Sequence, residues 1–367
     1  MSKSKAVVGL GFGDEGKGIT TNILCLQNPS ALVVRYSGGQ QAGHTVVQGE
    51  QRHVFSNFGS GTLNGNDTYW SPYCTVDPIG IYNELQILKR LGKNPVLYID
   101  GKCPVTTLVD KMINQRRDSK NGTCGVGVGS TFQREQDRYS LLFEDLFYPN
   151  VLKLKLDLIK KRYGDPIDEE GYIIPDVLFL HCCNHIISST HIKLTYGVPH
   201  SRDLIFEGSQ GLLLDQNYGF FPHVTRSNTG SINMVEMGYI PEFYCITRAY
   251  QTRHGNGPMT NLNRSHNINL NPKETNVTNK YQGEFKVSLL DVSLLEYGIM
   301  KDKMISRHRD NLVITCLDQV ENEYRFTYKD EIIACTSENE FVEKINSILK
   351  FSKVLRIKSD DQNHFKA

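Results

Sequence analysis

The sequence has few of the features that mark nucleic-acid-binding, membrane or disulfide-rich proteins. Its 367 residues carry a formal net charge of only +1, so no bulk basic surface for nucleic acid or membranes is expected. Its nine cysteines include no C-x-x-C pair, which argues against a zinc or dithiol site. No apolar run approaches the ~18 residues that span a bilayer. Residues 1–5 lead directly into an apolar strand with no room for a signal peptide, which predicts a cytoplasmic protein.

The composition fits a globular enzyme-sized chain. Hydrophobic residues make up 39% and charged residues 22%, as in ordinary folded domains. The length allows one large α/β domain or two smaller ones. Because no internal repeat and no low-complexity linker interrupts the chain, we expect a single domain over residues 1–367. The alternation of apolar runs with helical patterns predicts an α/β fold with a mostly parallel central sheet flanked by helices.

The first glycine-rich loop is the strongest motif. An apolar strand is predicted over residues 6–10 and a helix from Lys17 towards Leu26, with glycines between them. Strand, turn and helix form the setting in which backbone amides and a helix N-terminus bind phosphate. Residues 11–17 also fit the G-x-x-x-x-G-K spacing of a P-loop, but Gly18 replaces the usual Ser/Thr ligand of Mg²⁺. Asp14 is therefore the predicted metal ligand.

Two other interpretations of this loop compete with phosphate binding. Residues 11–16 also match G-x-G-x-x-G, the dinucleotide fingerprint, which calls for an acidic residue about 20 positions later. The second predicted strand ends instead in Arg35-Tyr36, which argues against NAD and only faintly allows NADP. A glycine-rich turn without a ligand is the third interpretation, and Lys17, close to the two acidic residues Asp14 and Glu15, makes it the weakest.

A second loop follows the second buried strand. Residues 31–36 are predicted as that strand, and residues 37–45 form a polar, glycine-rich segment that contains His44. Successive strands that end in such loops indicate a site at the carboxyl edge of a parallel sheet. His44, framed by Gly43 and Thr45, is a candidate for acid catalysis or phosphate contact.

The remaining chain alternates between helix and strand patterns. Helices are predicted over residues 77–91, 106–116, 148–163, 175–194 and Glu338–Leu349, and strands over 95–99, 203–208, 242–250, 311–318 and 353–357. A hairpin is predicted over residues 324–335, a turn over 252–258, and loops over 121–130 and 264–282. Asp318 ends a strand, where its carboxylate could accept two N–H bonds from a guanine edge or serve as a helix N-cap.

In their order along the chain, the loops resemble those of adenylosuccinate synthetases. The resemblance covers most of the chain up to Asp318, and many motifs in family order make it specific. The matching motifs are GDEGKG at 13–18, GGQQAGHT at 38–45, GTCG at 122–125, FEGSQG at 206–211, VT at 224–225, AY at 249–250, TR at 252–253, GP at 257–258 and LD at 317–318. This series of motifs rules out the dinucleotide-binding interpretation of the first loop, and with it an NAD- or NADP-dependent oxidoreductase.

The resemblance implies that GTP phosphorylates the 6-oxygen of IMP and that aspartate then displaces the phosphate, giving adenylosuccinate. It further implies Mg²⁺ as cofactor, bound by Asp14 and the Gly43 carbonyl. The positions that match the family's GTP contacts are Gly13, Glu15, Gly16, Lys17, Gly18, Gly43, His44, Thr45 and Asp318. The positions that match its purine-nucleotide contacts are Asp14, Gln41, Thr123, Cys124, Arg138, Gln210 and Thr225.

The resemblance also implies individual roles. Asp14 would take the N1 proton of IMP, His44 would stabilise or protonate the leaving phosphate, and Lys17 would neutralise developing charge. Gln210 completes the implied catalytic set by holding the purine nucleotide. Arg138 matches an arginine that the family donates across a subunit interface, which implies a homodimer.

The sequence departs from the family pattern at several of these positions. Phe12 replaces a tryptophan, Gln41 an asparagine, Cys124 a threonine and Cys316 a lysine. The family's arginine-rich amino-acid loop corresponds to residues 275–283, which contain no arginine; Thr278, Lys280 and the more distant Arg253 are the candidate amine-substrate residues. A lysine lacks the bidentate fork that arginine offers a carboxylate, which predicts weak aspartate binding.

These departures keep two alternative functions open. One is a ligase of the same fold that joins a different amine or uses a deoxynucleotide such as dGMP. The other is a catalytically silent nucleotide-binding relative. The retention of Asp14, Lys17, His44 and Gln210 argues against the silent relative, because a binding module needs neither a base nor an acid.

Overall fold

The fold is built around a central sheet of mostly parallel strands. The computed structural model describes residues 3–117, 122–199, 202–272, 274, 283–321, 323–358 and 361–366. Its strands are β1 (Ser4–Gly9), β2 (Leu32–Arg35), β3 (His44–Gln48), β4 (Gln51–Phe55), β5 (Thr68–Trp70), β6 (Leu97–Asp100), β7 (Ile192–Thr195), β8 (Leu204–Gly211), β9 (Glu242–Arg248), β10 (Tyr250–His254), β11 (Phe285–Asp291), β12 (Asn311–Thr315), β13 (Tyr324–Tyr328), β14 (Glu331–Cys335), β15 (Lys353–Lys358) and β16 (Asp361–Lys366). Its helices are α1 (Lys17–Gln27), α2 (Pro78–Arg90), α3 (Leu108–Arg117), α4 (Val128–Gln136), α5 (Pro149–Tyr163), α6 (Val177–Ser188), α7 (Ile232–Glu236), α8 (Val292–Lys301), α9 (Lys303–Arg307) and α10 (Glu338–Leu349).

The main sheet has β1 near its centre. Within the described residues its strands follow the order β16-β15-β12-β9-β1-β8-β2-β5-β6-β7. Adjacent strands are parallel except for the edge pair β15–β16, which is antiparallel. Smaller sheets are formed by β10-β11-β13-β14 and by the hairpin β3-β4. The predicted α/β fold class with a mostly parallel central sheet is confirmed.

The apolar run in β1 follows from burial on both faces of the sheet. Ala6 and Val8 pack into one hydrophobic cluster, whereas Val7 packs into another with Ile23 of α1. A strand covered by helices on both sides has no polar face, so its sequence does not alternate. This double burial places the carboxyl end of β1 in the middle of the molecule.

The carboxyl ends of the central strands meet at one edge of the sheet. β1 ends at Gly9 opposite Gly211 of β8, and Arg35 at the end of β2 is in register with Glu207 of β8. On the other side of β1, Thr315 of β12 is in register with Arg248 of β9. Parallel strands therefore bring residues that are hundreds of positions apart in sequence to one cleft.

Several element predictions are wrong in part. The helix predicted over 175–194 ends at Ser188, and its remaining apolar residues form β7, which pairs in parallel with β6. An apolar run by itself does not distinguish a helix from a buried strand. The loop predicted over 121–130 ends early because α4 begins at Val128. The turn predicted over 252–258 begins inside β10, which pairs with β11. The strand predicted over 353–357 is confirmed as β15, and a further strand, β16, pairs with it.

The helix Glu338–Leu349 is confirmed residue for residue. Within the described residues, no helix combines the length and apolarity needed to cross a membrane. The boundaries of the single domain over residues 1–367 stay a prediction.

Candidate active site

A cleft of about 1280 Å³ opens at the carboxyl edge of the central strands. Most of the residues predicted from the sequence line it, although they come from segments far apart in the chain. The predicted residues in its lining are Gly13, Asp14, Glu15, Gly16, Lys17, Gly18, Gln41, Gly43, His44, Thr45, Thr123, Cys124, Gln210, Thr225 and Arg253.

Two predicted residues among those that the structure describes do not line this cleft. Asp318 is exposed in a short turn, while its neighbours Cys316 and Gln319 line the cleft. Arg138 is exposed just beyond α4, with a positive φ of 66°. Thr278 and Lys280 lie outside the described residues.

The first glycine-rich loop connects β1 to α1 as predicted. Gly16 takes the N-cap position of α1 with a φ of 98°, a left-handed conformation that favours glycine. No side chain caps this helix end, so its first amides and positive dipole face the cleft. Asp14 also has a left-handed backbone, with a φ of 56°, which a short polar residue tolerates better than most. The loop therefore has the geometry of an anion site.

Side chains from neighbouring strands hold the carbonyls of residues 13–15. Thr252 Oγ1 donates to the first carbonyl at 3.3 Å, and Thr315 Oγ1 donates to the last at 2.9 Å. Between them, Arg248 Nε donates to the carbonyl of Asp14. The shape of this loop is thus set by β9, β10 and β12 as well as by its own glycines.

Glu15 and Lys17 are both buried inside the loop. The Glu15 carboxylate accepts a hydrogen bond of 2.5 Å from the amide of Gly11, four residues earlier. Burial raises the pKa of Glu15 to about 7, although nearby Lys17 opposes this rise. Burial also lowers the pKa of Lys17, against the attraction of Glu15 and Asp14. The Glu15 carboxylate therefore supports the loop from within.

His44 is oriented by a buried carboxylate. Its Nδ1 lies 2.6 Å from Oε1 of Glu207, 163 positions later in the chain. Burial pushes the pKa of Glu207 upwards, but His44, Arg35 and Ser60 outweigh it and lower that pKa to about 2. Burial lowers the pKa of His44 despite Glu207. An anionic Glu207 then accepts a hydrogen bond from Nδ1–H, so Nε2 of a neutral imidazole faces the cleft as an acceptor.

Glu207 also holds two other side chains. The amide of Ser60 donates to its Oε2 at 3.1 Å, and the Ser60 hydroxyl donates to Oε1. Arg35 Nη1 lies 3.9 Å from Oε2, and the guanidinium packs over the ring of Trp70 at 5.6 Å. Because Arg35 and Glu207 are both fully buried, each charge depends on the other.

Several buried polar atoms in the cleft lack a hydrogen-bond partner among the described residues. They include His44 Nε2, both amide atoms of Gln41, Thr123 Oγ1 and Gln210 Oε1. Buried polar groups in folded proteins are almost always hydrogen-bonded, so such a group calls for a ligand or water. Sequence analysis assigned all of these residues to the purine nucleotide or to the leaving phosphate.

Arg253 lies against the phosphate loop, on the side of Phe12. Its guanidinium stacks over the ring of Phe12 at 4.2 Å and donates to the carbonyls of Pro258 at 2.8 Å and His223 at 3.1 Å. Burial lowers its pKa to about 10, and its Nε has no partner among the described residues. A cation in this position is available for an anionic substrate group.

Sequence analysis missed the parts played by Arg248 and Glu207. Arg248 donates to Tyr250 Oη at 2.7 Å and to Glu274 Oε2 at 2.9 Å, besides its bond to Asp14. The available signal was a charged residue at or near the carboxyl end of an otherwise apolar strand, where polar side chains reach the cleft.

Comparisons with known proteins agree with this architecture. The family model described as adenylosuccinate synthetase matches residues 6–348. The adenylosuccinate synthetase of Halothermothrix orenii is 31% identical, over 90% of this chain and 82% of the relative. That of Thermoplasma volcanium is 29% identical, over 86% of this chain and 76% of the relative.

Solved structures share the fold at lower sequence identity. The fully ligated adenylosuccinate synthetase of Plasmodium falciparum has a TM-score of 0.78 at 17% identity, covering 100% of this chain and 99% of that chain. The succinoaminodeoxyadenylate synthetase of cyanophage S-2L, bound to dGMP and to dATP as energy donor, has a TM-score of 0.68 at 13% identity, covering 100% and 95%.

The fold and these matches place the chain among ligases that form a carbon–nitrogen bond. The family model covers nearly the whole chain, and the relative from H. orenii exceeds 30% identity along most of it. The chain belongs to the adenylosuccinate synthetase family.

Proposed function

We propose that this protein joins IMP to L-aspartate at the expense of GTP, producing adenylosuccinate, GDP and phosphate. The observation that carries the proposal is the convergence of Asp14, Lys17, His44 and Gln210 on one cleft that also receives the N-terminus of α1. A phosphate loop, a carboxylate base and a buried histidine are the groups that an O-phosphorylation followed by amine displacement requires.

In the first step, Asp14 takes the N1 proton of IMP, which makes O6 the nucleophile. O6 attacks the γ-phosphorus of GTP, the bond to the β–γ bridging oxygen breaks, and GDP leaves. Lys17 and the amides at the start of α1 stabilise charge on the transferring phosphoryl group. Arg248 fixes the carbonyl of Asp14, so the base approaches the purine from a defined backbone position.

In the second step, the amino group of aspartate attacks C6 and the phosphate leaves with O6. His44 faces the phosphoryl group through Nε2, while Glu207 holds Nδ1. An approaching phosphate dianion favours the imidazolium form, which Glu207 also stabilises, so His44 becomes a donor only when the substrate is bound.

Mg²⁺ fits the donor set beside the loop. The ion is usually held by one or two carboxylates together with substrate phosphates, and Asp14 offers one carboxylate at a phosphate loop. Asp14 and the carbonyl of Gly43 would hold it, and the bound ion would neutralise negative charge on the phosphates.

The remaining assignments complete the substrate sites. Gln41, Thr123, Cys124, Gln210 and Thr225 contact the purine monophosphate. The unpartnered side-chain atoms of Gln41, Thr123 and Gln210 support this role. Asp318 recognises guanine. Arg138, exposed beyond α4, reaches the nucleotide of a second copy in a homodimer. We further propose that the protein acts in the cytoplasm.

Arg253 is the cation proposed to meet a carboxylate of the amino acid. Its stacking on Phe12 places a partly unsatisfied guanidinium beside the phosphate loop. Because the segment 275–283 has no arginine, we expect aspartate to bind weakly; each missing charge-assisted hydrogen bond removes roughly 1.5–3 kcal/mol.

The test is product analysis with the purified protein, Mg²⁺, GTP, IMP and a panel of amino acids. Mass spectrometry is expected to detect adenylosuccinate with aspartate, and the KM for aspartate is expected to lie above about 1 mM. Replacing IMP by dGMP, and GTP by ATP, examines the alternative nucleotides in the same assay. Formation of a product with another amine but not with aspartate would overturn the assignment of the amine donor. Saturation by aspartate below about 1 mM, which is the ordinary upper end of KM values, would overturn the prediction of weak binding.

A further inference from the structure

The N-terminus of α1 lies between two parts of the cleft. On one side, a Cβ on Gly18 would lie 2.7 Å from the Cβ of His44. On the other side, a Cβ on Gly16 would lie 2.9 Å from Cγ2 of Thr315, at the end of β12. In the sheet, β12 and β8 are on opposite sides of β1. Because the proposed function assigns Gln210 of β8 and His44 to the purine monophosphate and its phosphoryl group, the base of the phosphoryl donor falls on the β12 side.

The turn after β12 presents one buried polar side chain to the cleft. Cys316, with a positive φ of 60°, starts the short 3₁₀ turn that ends at Gln319, and both residues line the cleft. Asp318 between them is exposed and does not line it. The Gln319 side chain belongs to a residue only 5% exposed, and its backbone carbonyl accepts from the amide of Asn269 at 2.8 Å. Gln319 is therefore held in place at this wall.

A chain of hydrogen bonds fixes which way the Gln319 amide faces. Arg248 Nη1 lies 2.7 Å from Tyr250 Oη, and because arginine has only donors, the hydroxyl accepts this bond. The single proton of the hydroxyl then goes to Oε1 of Gln319, 2.6 Å away. Burial raises the pKa of Tyr250, so the hydroxyl keeps that proton. The amide oxygen is thus occupied, and Nε2 makes no hydrogen bond within the described part of the chain.

This arrangement exists before any nucleotide binds. Arg248 also donates to Glu274 Oε2 at 2.9 Å and to the carbonyl of Asp14, so it cannot turn away from Tyr250 without breaking the clamp on the phosphate loop. A buried amide that is locked in one orientation offers the cleft a hydrogen-bond donor and no acceptor. Its ligand must carry an acceptor at that place.

We propose that Gln319 reads position 6 of the phosphoryl donor's purine, donating from Nε2 to O6 of guanine. The proposal rests on the proposed function, because it concerns the GTP of that reaction. Guanine carries an acceptor oxygen at position 6, whereas adenine carries an amino group. With ATP, two donors would face each other and the buried amide would stay unsatisfied, which is costly. Gln319 therefore selects GTP through an atom that Asp318 does not contact.

The experiment is calorimetric titration of the full chain with purine triphosphates and Mg²⁺, without IMP or amino acid. GTP and ITP both carry O6, whereas the triphosphate of 2-aminopurine riboside has no oxygen at position 6. Gln319→Leu is expected to weaken GTP and ITP binding about 3–10-fold and to leave binding of the 2-aminopurine nucleotide unchanged. Gln216→Leu, at another glutamine of the cleft lining but on the β8 side, is the matched control and leaves all three titrations unchanged.

Two further variants test the orientation of the amide. Gln319→Glu exchanges the donor for an acceptor, so GTP binding should weaken more than ATP binding. Tyr250→Phe removes the hydroxyl that holds Oε1, so the amide can turn its oxygen to the adenine amino group. The ratio of GTP to ATP affinity should then fall about 3–10-fold, a change that a merely structural role for Tyr250 would not produce.

Three results overturn the proposal. They are unchanged GTP binding by Gln319→Leu, an equal loss for GTP and the 2-aminopurine nucleotide, and equal affinity of the wild-type protein for GTP and ATP. Product analysis separates this proposal from the proposed function. If the titrations come out as expected but no adenylosuccinate forms, the proposed function fails while the contact to O6 stands. If no purine triphosphate binds the wild-type protein, both proposals fail.

Discussion

The phosphate loop and the purine-nucleotide side of the cleft are built in opposite ways. In the phosphate loop, the carbonyls of residues 13–15 already accept hydrogen bonds from Thr252, Arg248 and Thr315. Across the cleft, polar atoms of Gln41 and Gln210 are buried without a partner among the described residues.

This difference separates two tasks. Groups that stabilise charge in a transition state work best when they are fixed before the substrate arrives, because no reorganisation is then needed during the reaction. Groups that select a substrate can be completed by the substrate itself, since an incorrect one leaves them unsatisfied. Substitutions in the loop should therefore affect turnover, and substitutions across the cleft should affect affinity.

The largest effect is expected from Asp14→Asn. The amide has nearly the same shape and tolerates the left-handed φ of 56°, but it cannot take the N1 proton. We expect kcat to fall by about 10²–10⁴-fold, the range for loss of a general base. Steady-state kinetics at saturating Mg²⁺ measure this. Glu50→Gln, which removes another carboxylate from the cleft lining, is the matched control. A loss below about tenfold would remove Asp14 from the mechanism.

Glu207→Gln should destabilise the fold as well as the site. It leaves Arg35 buried without its counter-charge, a change that typically costs about 3–5 kcal/mol. The pKa of about 2 in the folded protein lies below the ordinary 4.5, so ionised Glu207 stabilises the fold above pH 4.5. That contribution is lost as the pH falls through about 2.

Urea denaturation across this pH range checks the prediction. The difference in free energy of unfolding between wild type and Glu207→Gln should shrink from pH 5 towards pH 2 (a span of about 3 pH units). Glu144→Gln, at a carboxylate that accepts a hydrogen bond from Tyr196 near the surface, should change stability by about 0.5 kcal/mol or less. A pH-independent difference would contradict the assigned charge state of Glu207.

Only part of the fold and of the candidate site could be predicted from the sequence. Local signals were sufficient for the loop between β1 and α1, and for Glu338–Leu349, because glycine spacing and amphipathic periodicity are properties of short segments. The pairing of His44 with Glu207 joins residues 163 positions apart and depends on the strand order of the sheet. The helix predicted over 175–194 failed for the same reason, since only the neighbouring β6 makes Ile192–Thr195 a strand.

Arg248→Met tests whether the clamp on the phosphate loop affects turnover. The variant frees the Asp14 carbonyl, and small displacements of a catalytic group can cost up to about a hundredfold in rate. We expect kcat to fall roughly 10–100-fold with little change in KM for IMP. Arg248→Lys keeps the charge near Glu274 and recovers part of the rate. An unchanged kcat with a raised KM would mean that Arg248 acts in substrate binding and not in turnover.

Asp318→Asn should have the smallest effect. If Asp318 accepts two N–H bonds from guanine, the amide keeps one acceptor and loses the charge. The preference for GTP over ATP, measured as a ratio of kcat/KM values, should fall about tenfold. Equal kcat/KM values for the two nucleotides in the wild-type protein would rule out Asp318 as a guanine-specific residue.

The central claim is that O6 of IMP attacks the γ-phosphorus of GTP in the preformed half of the site. IMP labelled with oxygen-18 at position 6 tests this directly, with aspartate added at saturation. Mass spectrometry should find the label in the inorganic phosphate that is released, because the C6–O6 bond breaks when the amine attacks. Released phosphate without the label would contradict the claim, since the phosphoryl group would then have been transferred to water and not to the purine.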